Sequence, residues 1–290
     1  MKSYTGRFAP SPTGRLHTGS VLAAVGSFLD ARHHGGRWLV RIEDLDTPRI
    51  VPGSAGEILR TLERLNLFWD GEVVYQSTRL PRYQAALDEL HAAGRTFECS
   101  CSRRSLTAVG DTGYPGICRE GPRRSGPTAT RFRVGGDWLE FTDRIQGVCR
   151  QSLAQLGDVV IRRRDGLFAY QLAVVIDDAD QGITDVVRGA DLLASTAWQI
   201  ELHRALGHRP PRYAHLPVVT AADGGKLAKS RSSLSPDLTR PGEVLLQSLV
   251  LLRQRPPPQL AGLEPREILD WAIRNWDPGL LHRIAAVAAP

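Results

Sequence analysis

The sequence predicts an α/β protein: a parallel-sheet nucleotide fold, interrupted by an inserted α+β segment and followed by a short helical C-terminal region. Three observations carry this. Strand-like apolar runs alternate with helix-period stretches near both ends of the first 230 residues. That rhythm stops in the middle third, where three of the four cysteines and a stretch rich in glycine and arginine fall. The expected buried strands end in acids or feed glycine-bearing loops, and an open α/β sheet keeps its ligand crevice at such strand ends.

Residues 4–8 are the first expected strand. Pro10, Pro12 and Gly14 break it, and Val21, Leu22, Val25, Phe28 and Leu29 then recur at helical spacing. His33, His34, Gly35 and Gly36 close that helix as a basic last turn followed by glycine. Residues 38–44 read as a buried strand ending in Glu43 and Asp44, and 44–48 turn the chain. A helix starting at Ser54 or Gly56 runs to Leu67, with Ile58, Leu59, Leu62 and Leu65 on one face. A short strand at 72–75 and a helix at 82–93, stopped by Gly94, follow. In the middle third, 130–134 and 138–141 alternate as strands, and 158–164 with 167–175 look like a hairpin around Arg164-Asp165-Gly166. Residues 174–178 read as a buried strand ending in Asp177 and Asp178, 192–206 as a helix, and 216–220 as another buried strand. Helices at 244–252, 265–273 and 279–287 complete the chain, with a joint at Pro256-Pro257-Pro258. The expected division is 1–91 and 186–235 for the two halves of the nucleotide fold, 92–185 for the insertion and 236–290 for the helical region.

At 290 residues the chain can bury a sizeable core, and 42% hydrophobic with 23% charged residues is ordinary for a soluble globular protein. No apolar run has the length of a membrane span and Met1-Lys2-Ser3 leads straight into a strand, so a cytoplasmic protein is expected. The net charge of +6 favours a polyanionic partner. Residues 99–164 hold twelve arginines, no lysine and six acids, an excess equal to that of the whole chain, which fits either a nucleic-acid contact or a solvated basic face.

The loop from residue 7 to 20 joins a strand to a helix N-terminus and carries Arg7, Ser11, Thr13 and His17. Free backbone N–H groups and the positive end of the helix dipole suit phosphate there. It is neither a Walker loop nor a dinucleotide fingerprint. Of 37 basic residues only Lys2, Lys226 and Lys229 are lysine, and two of them stand three apart after the loop 221–225. Lysine is a flexible point charge where arginine is a planar fork, so these two read as triphosphate ligands on a hinged loop. Glu43, at a strand end, can take a substrate amine or a ribose, or be a plain solvated acid. Cys99, Cys101 and Cys118 fit zinc or buried free thiols; C-x-C is tight for zinc, and the nearest oxygen donor is Tyr114. Cys149 reads as a small core residue.

His17-Thr18-Gly19-Ser20 and Lys226-Leu227-Ala228-Lys229-Ser230 resemble the two signatures of class I aminoacyl-tRNA synthetases. With the loop after Arg7, Arg41-Ile42-Glu43-Asp44 and Val187-Arg188-Gly189-Ala190-Asp191, the chain resembles the catalytic half of the glutamyl-tRNA synthetase group. Within it, the chain is similar to the truncated paralogues that act on queuosine in tRNA(Asp), over at least residues 4–230. Two departures stand out: Ser20 where many class I enzymes carry a second histidine, and Ala228 where serine is common.

The resemblance implies a Rossmann-like catalytic domain with an inserted zinc-binding subdomain. It implies glutamate on Arg7, Phe8, Ala9, Pro10, Ser11, Glu43, Tyr170 and Arg188, with either arginine able to pair a carboxylate as a bidentate fork. It puts ATP, with Mg2+, on Pro10, Thr13, Gly14, His17, Gly19, Ser20, Lys226, Lys229 and Ser230, with His17 and Lys229 as the catalytic pair. It puts structural Zn2+ on Cys99, Cys101, Tyr114 and Cys118. The implied reaction is formation of glutamyl-adenylate and transfer of glutamate to queuosine in the anticodon arm of tRNA(Asp), by a monomer with no membrane partner. Other readings are a truncated glutamyl-tRNA synthetase charging a tRNA 3′ end, or a non-catalytic RNA- or nucleotide-binding relative.

Overall fold

In the computed structural model, residues 3–102, 105–106, 113–220 and 236–288 are described. Strand β1 (Thr5–Phe8), helix α1 (Thr18–His33) and strand β2 (Arg37–Ile42) form a parallel β-α-β unit, with Arg7 opposite Leu39 and Phe8 opposite Val40. Helix α2 (Ser54–Arg64) leads to the short β3 (Val74–Tyr75), which extends the sheet in the order β1-β2-β3. Helix α3 (Leu80–Ala92) then delivers the chain into the middle third.

There, β4 (Thr96–Cys99), β5 (Ala129–Phe132) and β8 (Val159–Arg162) make their own antiparallel sheet. Between them, β6 (Trp138–Asp143) and β7 (Gly147–Ser152) form a hairpin, and a one-turn helix α4 (Leu153–Leu156) follows. The hairpin joins a second sheet in the order β7-β6-β10-β9, where β9 (Asp185–Gly189) and β10 (Arg212–Leu216) are parallel. So within 92–185 one part is a separate sheet and another part is built into the sheet of β9 and β10. Thr184 and Thr5 exchange backbone and side-chain hydrogen bonds and bring β9 beside β1.

Residues 174–178, expected as a strand, lie in helix α5 (Tyr170–Asp180). Leu172 through Ile176 are all buried, so this part of the run is apolar on every side and shows no helical period. A short apolar run of this kind does not separate a strand from a buried helix. The hairpin expected over 158–175 accordingly shrinks to β8 and a single bridge between Arg162 and Phe168. The helix expected over 192–206 begins as a 3-10 segment, Ala190–Ser195, before α6 (Thr196–Ala205). The buried strand expected at 216–220 is split at Pro217, which has no N–H to give a ladder; β11 (Val218–Thr220) beyond it is half-buried. Helices α7 (Pro241–Leu251) and α8 (Pro265–Asn275) are as expected, but the third is not a helix. Arg283 takes a left-handed φ of 57°, which stops the turn at Pro278–Leu281, and β12 (Ala286–Ala288) pairs with β11 instead.

α1 is the spine. Its apolar side meets β1 and β2, and its other side meets Leu245, Leu249, Ile268 and Leu269 of the C-terminal helices in one core. Gly26 is needed on this helix, because a Cβ there would sit 2.6 Å from a methyl of Leu216. Asp30, buried on the same helix, accepts from Tyr4, Arg144 and, at 3.0 Å, Trp276 Nε1. A buried carboxylate with that many donors pins the C-terminal region to the nucleotide fold. Cys149 is half-buried on β7 rather than in the core.

Candidate active site

The loop between β1 and α1 is strapped at several points. Pro10 O accepts from Glu43 N at 3.0 Å, and Pro12 O accepts from Val51 N at 3.0 Å and Ser54 Oγ at 2.5 Å. These bonds fix the loop to the end of β2 and the start of α2. Gly14 takes a φ of +134°, open only to glycine. His17 is exposed and caps α1: its Nδ1 accepts from Ser20 N at 3.3 Å, and its Nε2 lies 3.1 Å from Ser20 Oγ. The imidazole lies so close over Gly19 that a Cβ there would come within 3.2 Å of the ring. His17, Gly19 and Ser20 thus form one surface at the helix mouth, with Thr13 and Ser11 exposed beside it on the loop. Lys226, Lys229 and Ser230 lie outside the described residues.

A hollow of about 500 Å³ opens where the first loop, β2 and α5 meet; Ser11, Glu43, Gln76, Arg163, Phe168 and Tyr170 are on its wall. Three of the expected glutamate ligands, Ser11, Glu43 and Tyr170, therefore share it. Pro10 is buried, and Ala9 is half-buried next to it. The Phe8 side chain belongs to the core, stacked on Trp38 with ring centroids 6.2 Å apart.

The two expected arginines differ. Arg7 is closed onto Asp178, with Nε 3.1 Å from Oδ1 and a terminal nitrogen 3.3 Å from Oδ2. Arg41, fully buried, also reaches Asp178 at 2.9 Å, Glu43 at 3.3 Å and Gln181 at 2.7 Å. Burial opposes the Asp178 carboxylate, but Arg7 and Arg41 overcome it and hold its pKa at about 2. Burial pushes Glu43 up to about 7, against the pull of Arg41 and Arg7. Asp177, beside them, accepts from Gln76 at 2.7 Å, Arg79 at 2.6 Å and Tyr83 at 2.9 Å.

Arg188, on β9, meets no carboxylate at ion-pair distance among the described residues. Its Nε donates to His215 Nε2 at 3.0 Å, and its terminal nitrogens to Tyr170 Oη at 3.2 Å, Thr196 Oγ1 at 2.9 Å and Leu192 O at 3.4 Å. Every partner is neutral, and the residue is only 5% exposed. A buried cation in that state suits an anionic ligand.

Sequence reasoning passed over Arg41 as a network centre, the inward-facing Asp177 and Asp178, and His215 with Asp143. The one available signal was a charged residue inside an apolar strand, Val40-Arg41-Ile42.

Cys99, Cys101 and Cys118 bring their sulfurs within 4.8 Å of one another. Tyr114 Oη lies 3.4 Å from Cys99 Sγ and accepts from Cys118 N at 2.7 Å. Two thiolates on one tetrahedral zinc stand about 3.8 Å apart, and Cys101 and Cys118 Sγ are 3.6 Å apart. Burial pushes the Cys101 thiol up to about 11, and the neighbouring thiols add to it. Burial acts the same way on Cys118 but is outweighed by bonds from Tyr114 and the backbone, which hold it at about 6. The donor set fits a soft divalent ion.

The sequence model for the catalytic domain of class I tRNA synthetases (E and Q) matches residues 4–113 and 116–252. The chain belongs to that family. Among its relatives, a glutamyl-Q tRNA(Asp) synthetase of Geobacter sulfurreducens is 52% identical over 296 residues, covering 97% of this chain and 94% of its own. A protein of the same name from Pseudomonas aeruginosa is 50% identical over 286 residues, covering 98% and 97%. Of solved structures, a glutamate tRNA ligase from Elizabethkingia meningosepticum, in complex with its amino acid, superposes with a TM-score of 0.81 at 26% identity, covering 100% of this chain and 67% of that one.

Among the described residues, no helix is long and apolar enough to cross a membrane.

Proposed function

We propose that this chain activates glutamate with ATP and passes the glutamyl group to queuosine in the anticodon arm of tRNA(Asp). The observation that carries the amino-acid half is Arg188, a buried guanidinium held only by neutral acceptors and bonded to Tyr170 on the wall of a hollow that also contains Glu43. A ligand with a carboxylate at one end and an ammonium at the other satisfies both. Arg7, already paired with Asp178, supports the floor of the pocket through the loop that carries Ala9, Pro10 and Ser11.

In the first step a glutamate α-carboxylate oxygen attacks the α-phosphorus of ATP in line; the bond to pyrophosphate breaks, and pyrophosphate leaves. No covalent enzyme intermediate is required, so positioning and charge stabilisation carry the rate. His17, at the positive end of α1, and Lys229 stabilise the developing phosphate charge, with Thr13, Gly14, Gly19, Ser20, Lys226 and Ser230 around the nucleotide and Mg2+ on the triphosphate. In the second step a hydroxyl of the cyclopentenediol ring attacks the glutamyl carbonyl, loses its proton, and AMP departs. The names of the relatives supply that acceptor. Cys99, Cys101, Tyr114 and Cys118 would hold a structural zinc that braces the chain between β4 and β5. The halves 1–91 and 186–235, the insertion 92–185 and the helical region 236–290 belong to the same reading, as do a monomeric state and a cytoplasmic site of action.

An acceptor assay with labelled glutamate tests this. Queuosine-containing tRNA(Asp) is expected to take up label and queuosine-free tRNA(Asp) none; equal labelling of both would assign a tRNA 3′ end instead.

A further inference from the structure

We propose that His215, oriented by Asp143, is the positioning residue that holds Arg188 in place for the glutamate carboxylate without cancelling its charge. This rests on the reading that Arg188 is a glutamate ligand. His215 is completely buried, at 0% exposure, on β10 beside β9. Its Nδ1 is 2.6 Å from Asp143 Oδ2, and its Nε2 is 3.0 Å from Arg188 Nε.

The proton positions follow from the donors. Asp143 Oδ1 accepts from the backbone N–H groups of Ile145 at 3.0 Å, Gln146 at 2.8 Å and His215 at 3.1 Å. Burial opposes the charge, but these bonds and the His215 ring keep the Asp143 pKa at about 2. An ionised carboxylate only accepts, so Nδ1 carries the imidazole proton. Nε2 is then a lone pair, and Arg188 Nε–H is its donor. Thr196 Oγ1, 3.2 Å from Nε2, accepts from a terminal nitrogen of the same guanidinium. Burial drives His215 below its ordinary pKa, so the ring stays neutral.

The charged and titratable groups facing the ring are Asp143 at the end of β6, Arg188 on β9, Asp191 just after it, and Tyr213, whose ring stacks on His215 with centroids 6.1 Å apart. Asp143 stands behind the imidazole, on the side away from Arg188. A carboxylate directly on Arg188 would fix the same orientation but leave little charge for a ligand, as Asp178 does to Arg7. An imidazole backed by a carboxylate fixes the orientation and leaves the cation open.

Asp143→Asn tests this with little change of shape. Three backbone N–H groups hold the amide oxygen at the Oδ1 position, so the amide NH2 faces Nδ1. The imidazole proton then moves to Nε2, where it confronts Arg188. His215→Gln is the second variant, since its amide oxygen can accept from Arg188. In glutamate-dependent ATP–pyrophosphate exchange, Asp143→Asn should raise KM for glutamate roughly tenfold or more, with KM for ATP within about twofold. His215→Gln should retain most of the glutamate affinity, and both should melt close to wild type. The proposal is overturned if a folded Asp143→Asn keeps wild-type glutamate KM, or if both KM values move together. If Asp143→Asn does not fold, His215→Leu beside His215→Gln decides: equal glutamate KM values in the two would overturn it. Arg188→Gln separates the levels: if it leaves glutamate KM unchanged, the underlying reading fails, whereas if it alone raises KM, only the positioning role fails.

Discussion

Arg7 and Arg188 stand on the neighbouring strands β1 and β9, are 3% and 5% exposed, and are wired in opposite ways. Arg7 shares Asp178 with Arg41 in a closed network where cations and carboxylates meet directly. Arg188 is surrounded by an imidazole, two hydroxyls and a carbonyl. On the proposed reading, the difference separates charge that holds the fold from charge kept for a ligand. A closed buried pair is costly to break because removing one partner strands the other. An open buried cation is costly to maintain, and its removal relieves the fold while emptying the site.

The comparison can be broken most severely at Arg41, the centre of the closed network. Arg41→Met leaves Glu43 without its ion-pair partner and Asp178 with Arg7 alone, and should lower unfolding free energy by about 3–5 kcal/mol in denaturant titration; a loss under about 1 kcal/mol would show that the network is not a structural clamp. Arg188→Gln should do the reverse, with stability within about 1 kcal/mol of wild type and kcat/KM for glutamate down about 10²-fold or more. In the proposed role, Lys229 acts as pyrophosphate leaves, and Lys229→Ala should cut exchange by about 10²-fold through kcat; a loss of a few-fold would remove it from the catalytic pair.

The pH dependence sharpens the contrast further. Glu43, lifted by burial to about 7, is protonated below that pH and then offers no charge to a ligand ammonium. Glutamate KM should therefore rise as pH falls through 7, by roughly tenfold per unit at the limit, and level off above it. Glu43→Gln should abolish that dependence and hold KM high throughout; a wild-type profile flat down to about pH 5 would place Glu43 outside the ammonium site. The smallest effect on exchange belongs to the third polar cluster. Cys101→Ser should abolish bound zinc, read by elemental analysis, while exchange without RNA changes less than about threefold. Zinc content equal in variant and wild type would remove Cys101 from the ligand set.

Much of this was legible in the residues. Pro10, Pro12 and Gly14 between an apolar strand and a helix marked the loop, and Cys99, Cys101 and Cys118, close in sequence, do bring their sulfurs together. Ser11, Glu43 and Tyr170, which the family resemblance grouped and the residues alone did not, share a hollow. What could not be read was partnership. Nothing in the string around Asp177 and Asp178 shows that they point inward from a helix, because Val174-Val175-Ile176 is equally apolar in either conformation. Likewise Arg7 and Arg188 look alike as sequence; only the fold brings Asp178 to one and His215 to the other. The run 279–287 failed as a helix because β11 offers a free edge, which is a tertiary fact.

The most direct test of this account is pyrophosphate exchange into ATP, driven by free amino acids with no RNA present, in wild type and Arg188→Gln. The account predicts exchange with glutamate, none with glutamine, and loss of the glutamate response in the variant while the protein stays folded. A silent wild type, or a folded Arg188→Gln that exchanges with glutamate as well as wild type, would contradict it.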